Sequence, residues 1–156
     1  MRKKISFIML LCLALIVSGG NKAPSSKVFS SNELEITLTD DFDEKNDGYL
    51  TLYNKEVKIV IQSTPTESIN NLPLEEYVDL LSESISFLTP LETDTANGGV
   101  AYEYSLDGEG LEPSRCLLMV YKTESYYYNV TFSCDAEKYE LYRDVFSEWV
   151  DSIQIG

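Results

Sequence analysis

The sequence predicts an α+β domain in which a mostly antiparallel β-sheet is flanked by helices. Three observations carry this prediction. Short stretches in which apolar and polar residues alternate recur along the chain, separated by turn-forming residues. Residues 73–86 and the C-terminal run after Asp135 repeat instead at three- and four-residue spacing. No βαβ alternation and no internal repeat occurs, so strands pair mainly through hairpins.

The N-terminus reads as an address. Arg2, Lys3 and Lys4 precede an unbroken apolar or small run from Ile5 to Val17, and Ser18-Gly19-Gly20 follows. Residues 1–20 match a secretory signal peptide, and the apolar run is short for a transmembrane span. Val17-Ser18-Gly19 before a cysteine would resemble a bacterial lipobox, but Gly20 stands where the thiol is needed. An altered lipoprotein, a paralogue without its anchor, and ordinary cleavage after Gly20 all fit. A lipid link to the membrane would need a cysteine in place of Gly20. The expected location is extracytoplasmic, either secreted or at the outer face of the cell membrane. Residues 21–31 are polar and small-rich and read as a linker; residues 32–156 read as the single α+β domain.

Leu34, Ile36 and Leu38 alternate with Glu33, Glu35 and Thr37, the pattern of a half-buried strand. Asp40–Gly48 is an acidic break. Leu50 and Leu52 alternate with Tyr49, Thr51 and Tyr53, and Asn54-Lys55-Glu56 turns the chain into Val57–Gln62, a hairpin. Ser63–Asn71 is expected to be a loop. Pro73 suits a first helical position, Glu75 and Glu76 suit the helix dipole, and Leu74, Tyr77, Val78, Leu81 and Ile85 form one apolar stripe. An extended connection should run from Pro90 to Thr95, followed by a turn at Asn97-Gly98-Gly99 and a strand from Val100 to Leu106.

Arg115–Lys122 and Tyr126–Cys134 are two further strands. With Glu124–Tyr126 as the loop, Val120 faces Val130, Leu118 faces Phe132, and Cys116 faces Cys134. That register allows a cross-strand disulfide, and two small buried thiols fit equally well. Asp135 can cap the last helix, whose stripe is Tyr139, Tyr142, Val145, Phe146, Trp149 and Ile153.

Composition excludes several functions. The chain has 156 residues, 26 acidic against 12 basic, three cysteines and no histidine. One domain with a single core is the natural outcome at this length. Without histidine there is no Ser-His-Asp or Cys-His nucleophile and no His-ligated zinc or haem. Removing Arg2, Lys3 and Lys4 with the leader takes the net charge from −14 to −17. Such a chain cannot neutralise a nucleic-acid backbone, and its charge favours a cationic partner.

The element order resembles the PsbP/Mog-type α/β/α sandwich, also seen in DcrB-like envelope lipoproteins. The resemblance rests on Leu74-Glu75-Glu76-Tyr77, on Gly99-Val100-Ala101-Tyr102-Glu103-Tyr104, on Tyr126–Phe132, and on the ending Phe146–Ile153. It covers most of residues 28–154 and implies that fold and a non-enzymatic accessory or binding role. The histidine-containing metal sites of plant-type relatives have no counterpart here, so the resemblance implies no cofactor and no binding residues.

Local candidates remain. Asp43, Asp47 and Gly48 fall at the first, fifth and sixth positions of an EF-hand-like calcium loop, but Lys45 and Asn54 occupy the third and twelfth, where carboxylates belong. A solvated acidic turn between two strands is the favoured reading. Acid pairs such as Glu75/Glu76 are what chance supplies among 26 acids, and no serine sits in a Gly-x-Ser-x-Gly elbow. Tyr102, Tyr104 and Tyr127 form a candidate recognition surface, set against the favoured reading that they fill the space beneath the helices. The function expected is that of a non-enzymatic, exported envelope module for an envelope protein or ligand. The alternative is a domain binding a small ligand or calcium.

Overall fold

In the computed structural model the described residues are 25–85, 87–92 and 98–156. The predicted leader, residues 21–24 of the predicted linker, and residues 93–97 of the expected connection and turn lie outside them.

The chain opens with a hairpin of β1 (Ser26–Ser31) and β2 (Leu34–Thr39). Asn32 turns it at φ 52, a left-handed conformation that asparagine tolerates better than most residues. Leu34, Ile36 and Leu38 are buried as the alternation requires. Residues 26–31 are therefore not linker. Phe29 of β1 is buried in the core, so the folded unit starts earlier than the expected boundary at 32. One apolar residue among polar ones gives too little alternation to mark a strand.

The main sheet contains β3 (Asp43–Asn46), β4 (Leu50–Tyr53), β5 (Val57–Pro65), β6 (Thr89–Leu91), β7 (Val100–Leu106), β8 (Ser114–Lys122) and β9 (Tyr126–Asp135). Their order across the sheet is β3-β4-β5-β9-β8-β7-β6, with every neighbouring pair antiparallel. The acidic break thus contains an edge strand, β3, with all four residues exposed. Charge on such an edge discourages unwanted strand pairing. The expected loop at 63–71 is likewise partly ordered: β5 runs on to Pro65, and Thr66–Ile69 forms a 3₁₀ turn.

Helix α1 (Leu74–Ser84) packs on one face of this sheet. Pro73 stands just before the first helical residue. Helix α2 (Tyr139–Asp151) follows a 3₁₀ turn at Ala136–Lys138 and lies on the other face, beside a small sheet ordered β1-β2-β10, where β10 is Gln154–Ile155. Asp135 makes no side-chain cap there. The Ser152 hydroxyl accepts from the Thr37 N–H at 3.1 Å, tying the end of α2 to β2.

The larger core lies on the α2 face, where Phe132, Phe146 and Trp149 pack with centroids 5.5–6.5 Å apart and Phe42 meets Trp149 edge-on at 5.3 Å. Gly99 lies against Tyr121, another residue of this core. A Cβ there would sit 2.3 Å from the Tyr121 ring, so only glycine lets that ring lie down.

The β8–β9 register differs from the expected one by a single residue. Thr123 N–H donates to the Tyr126 carbonyl at 2.8 Å, while Thr123 Oγ1 accepts from the N–H groups of Ser125 and Tyr126 at 3.2 and 2.9 Å. The turn therefore closes at Thr123 and Tyr126 around a two-residue loop, Glu124-Ser125. Cys116 pairs with Ser133, and Cys134 with Arg115. A one-residue shift turns partners to opposite faces. Cys116 thus lies on the α1 face and Cys134 on the α2 face, both as buried free thiols, and no cross-strand disulfide joins them.

Candidate functional site: the open half of the sheet

Cross-strand partners share a face, so the α1 side can be read row by row. One row runs Tyr53–Lys58–Ser133–Cys116–Tyr104; the next runs Lys45–Thr51–Val60–Thr131–Leu118–Tyr102. Helix α1 covers only the β7–β8–β9 end of these rows, where Tyr77 and Val78 pack on Leu118, Val120 and Tyr127. Geometry explains the shortfall. Seven strands span about 30 Å, whereas one helix is about 10 Å wide. Lys122 Nζ donates to the Leu72 carbonyl at 2.8 Å, and the Tyr127 hydroxyl donates to the same oxygen, holding the helix entry at that end.

The β3–β4–β5 end stays open as a shallow groove of about 660 Å³. Tyr49, Thr51, Tyr53, Lys58 and Val60 line it, with Lys45 at the edge strand and Ser133 toward the centre. Tyr49 and Tyr53 are 50% and 41% exposed, which leaves ring faces free to contact a ligand. Lys45 and Asp47 form an ion pair of 2.6 Å. Their shared hydrogen bond and opposite charges hold the Asp47 carboxyl below, and the Lys45 ammonium above, their ordinary ranges.

Charge distribution sets this face apart. Residues 25–156 hold all 26 acidic side chains and eight of the basic ones, a net of −18. Within the groove, Lys45, Lys55 and Lys58 balance Asp47, Glu56 and Asp135. Asp43, beside Tyr53 on the same face, adds one negative charge, and the rest of the excess lies elsewhere on the domain.

The expected site residues are distributed differently. Asp43 lies on β3 opposite Tyr53, and Asp47 in the following turn, separated by an extended stretch on the order of 10 Å. Lys45 stands between them in the chain and pairs with Asp47 at 2.6 Å, so a cation occupies the third position, where a calcium loop needs a carboxylate. Among the described residues no group of three His, Cys, Asp or Glu is placed to hold a metal. Tyr127 is no recognition residue: its ring is fully buried and stacks on Tyr77. Tyr102 and Tyr104 are half-buried and pack against the same cluster. The Tyr104 pKa is pushed up to about 12, first by burial and then by the neighbouring Cys116 thiol.

Tyr49 and Tyr53, which do remain exposed, occupy the polar side of the Leu50/Leu52 alternation. Their face was legible, but their exposure depends on where α1 ends across the sheet.

A second depression, of about 460 Å³, lies between α2 and β6–β8, with Leu117, Met119 and Val150 among its walls. Its one well-covered carboxylate, Glu103, is engaged: one oxygen accepts from Arg115 at 2.9 Å, and the other from the Tyr139 hydroxyl at 2.8 Å. Arg115 also lies 4.6 Å over the Tyr139 ring. This cluster pins the start of α2 to β7 and β8. The larger groove offers rings, hydroxyls, amides and ammonium groups, a chemistry of non-covalent recognition.

No protein-family model and no curated protein sequence matches the chain. Solved structures do. The solution structure of CyanoP, the cyanobacterial PsbP of Synechocystis, superposes with a TM-score of 0.58 at 12% identity over 91% of this chain and 99% of that one. The Saccharomyces cerevisiae Ran-binding protein Mog1p gives 0.57 at 9% identity over 85% and 96%. A crystal structure from Bacteroides thetaiotaomicron gives 0.56 at 12% identity over 83% of this chain, which spans about half of that longer one (48%). Identities this low speak to architecture alone. The chain has the PsbP/Mog1-like fold: an antiparallel seven-stranded sheet with a small second sheet and two helices.

Proposed function

We propose that this protein is a non-enzymatic module, exported across the membrane, that holds another component of the cell envelope against the open half of its sheet. The observation that carries the proposal is the groove itself. It displays two exposed tyrosines beside hydroxyl and ammonium groups on a sheet face, and its lining lysines equal its lining carboxylates in number on a strongly acidic domain. Aromatic residues on a firm, partly apolar surface are typical anchors of binding interfaces. Export is supported by the basic, apolar and small segments of residues 1–20. Similarity in fold to a Ran-binding protein agrees with a recognition role for such a scaffold.

A photo-reactive side chain at Thr51, in the groove, should form an adduct with an envelope component in intact cells. The same group at Glu76, in the exposed first turn of α1, should form little. Equal yields at the two positions would count against the docking face.

The depression beside α2 supports a second reading, a small-ligand domain. A ligand whose binding shifts the amides of Met119 and Val150, and leaves Thr51 untouched, would favour it.

A further inference from the structure

We propose that the open half of the sheet receives a linear glycan of little or no charge, whose sugar rings stack on Tyr49 and Tyr53. This rests on the docking reading above and names the class of occupant. Tyr49, in the bend just before β4, and Tyr53, its last residue, lie four residues apart with Thr51 between them, about 13 Å along an extended chain, and both line the groove. Two rings at that separation meet different sugars of one chain, so a monosaccharide would engage only one of them. Between and beside the rings stand Thr51, Lys58 and Ser133, which supply the hydroxyl and ammonium groups that a polyol's many hydroxyls require. Flat aromatic faces combine apolar area with little entropy lost on binding, because each tyrosine has two side-chain torsions.

Other ligand classes fit less well. An added peptide strand would pair along the free edge of β3, which the exposed charges of Asp43–Asn46 discourage, rather than lie on the face that Tyr53 and Lys58 present. A polycation would find three lysines there, and a polyanion would meet balancing carboxylates and a Lys45 already joined to Asp47. A compact apolar molecule would need an enclosed pocket, and this groove is shallow.

The test titrates the full chain with hexamers of β-1,4-linked N-acetylglucosamine, β-1,4-linked glucose, β-1,3-linked glucose and α-linked mannose, following amide resonances. One hexamer should shift Thr51, Tyr53 and Lys58, and its monomer should not. Tyr49→Ala and Tyr53→Ala should each weaken binding about tenfold, while Tyr49→Phe and Tyr53→Phe, which keep the ring, should stay within about threefold. Binding that is unchanged in both alanine variants, or shifts confined to other elements, overturns the assignment of this face. If no hexamer binds while the Thr51 adduct still forms on a protein, the glycan inference falls and the docking reading stands. If neither occurs, both fall.

Discussion

The ring of Tyr127 lies on the ring of Tyr77, centroids 4.2 Å apart and planes 25° from parallel, so that β9 and α1 meet through two stacked tyrosines. Asn129 extends the contact by donating its side-chain N–H to the Tyr77 hydroxyl at 2.9 Å. Val78 is buried beside Tyr77, with Leu74, Leu81 and Ile85 partly buried around it, while the outer face of α1 is Glu75, Glu76, Asp79 and Glu83. Replacing Tyr77 with Ala should cost about 3 kcal/mol of unfolding free energy. Tyr127→Phe loses only the hydrogen bond to Leu72 and should cost about 1 kcal/mol. Denaturant titration of both variants checks the ordering; equal costs would mean that stacking does not hold the helix.

Cys116 and Cys134 lie on opposite faces of the sheet, and burial pushes both thiol pKa values up, that of Cys134 to about 11. Neither should react with a thiol reagent at neutral pH until the protein unfolds, since the thiolate is the nucleophile. A reducing agent should leave the melting temperature unchanged. A lower melting temperature on reduction would restore the disulfide and overturn the one-residue register.

The same thiol and two tyrosines make stability fall in alkali. Tyr104 and Tyr142 are pushed up to about 12 from an ordinary 10.0, Tyr104 chiefly by burial and Tyr142 chiefly by its 2.6 Å hydrogen bond to the Glu56 carboxylate. Between the unfolded and folded pKa values the unfolded chain has lost protons that the folded chain keeps. Stability therefore declines as pH rises. The contribution is fully present below about pH 9 and is lost progressively between about pH 9 and 12. Thermal melts from pH 8 to 11.5 should show a plateau and then a drop, with Tyr142→Phe flattening part of the slope. A melting temperature flat through pH 11.5 would contradict this origin.

Gly20 is the residue by which the proposed leader departs from a lipobox. In a bacterial host that processes lipoproteins, Gly20→Cys should move the protein from the aqueous to the detergent phase, because a diacylglycerol can then be attached. Fractionation with and without the substitution reads this directly. An unchanged distribution would argue that residues 1–20 are not handled by the lipoprotein pathway.

The layers of this fold were legible where burial is one-sided. Leu34, Ile36 and Leu38 alternate because β2 has one buried face, and Tyr77, Val78 and Leu81 recur at helical spacing because α1 rests on one side only. Legibility failed where burial was two-sided or absent. In β8, Cys116 through Tyr121 are all buried, so alternation gives no register, and the turn chemistry of Thr123 decided it. In β3, Asp43–Asn46 are all exposed, and a strand without an apolar residue resembles a loop. The exposure of Tyr49 and Tyr53 has a tertiary cause: Tyr127 and Tyr53 both point to the α1 side, and only the position of the helix buries one and leaves the other open.

The most direct test of the docking surface is cosedimentation of the full chain with envelopes isolated from its host, comparing the native sequence with the Tyr49→Ala/Tyr53→Ala double variant. Both rings are surface-exposed, so the variant should melt within a few degrees of the native protein. The account predicts at least a tenfold loss of envelope-bound protein. Undiminished binding by a fully folded double variant would show that the envelope is held by another face.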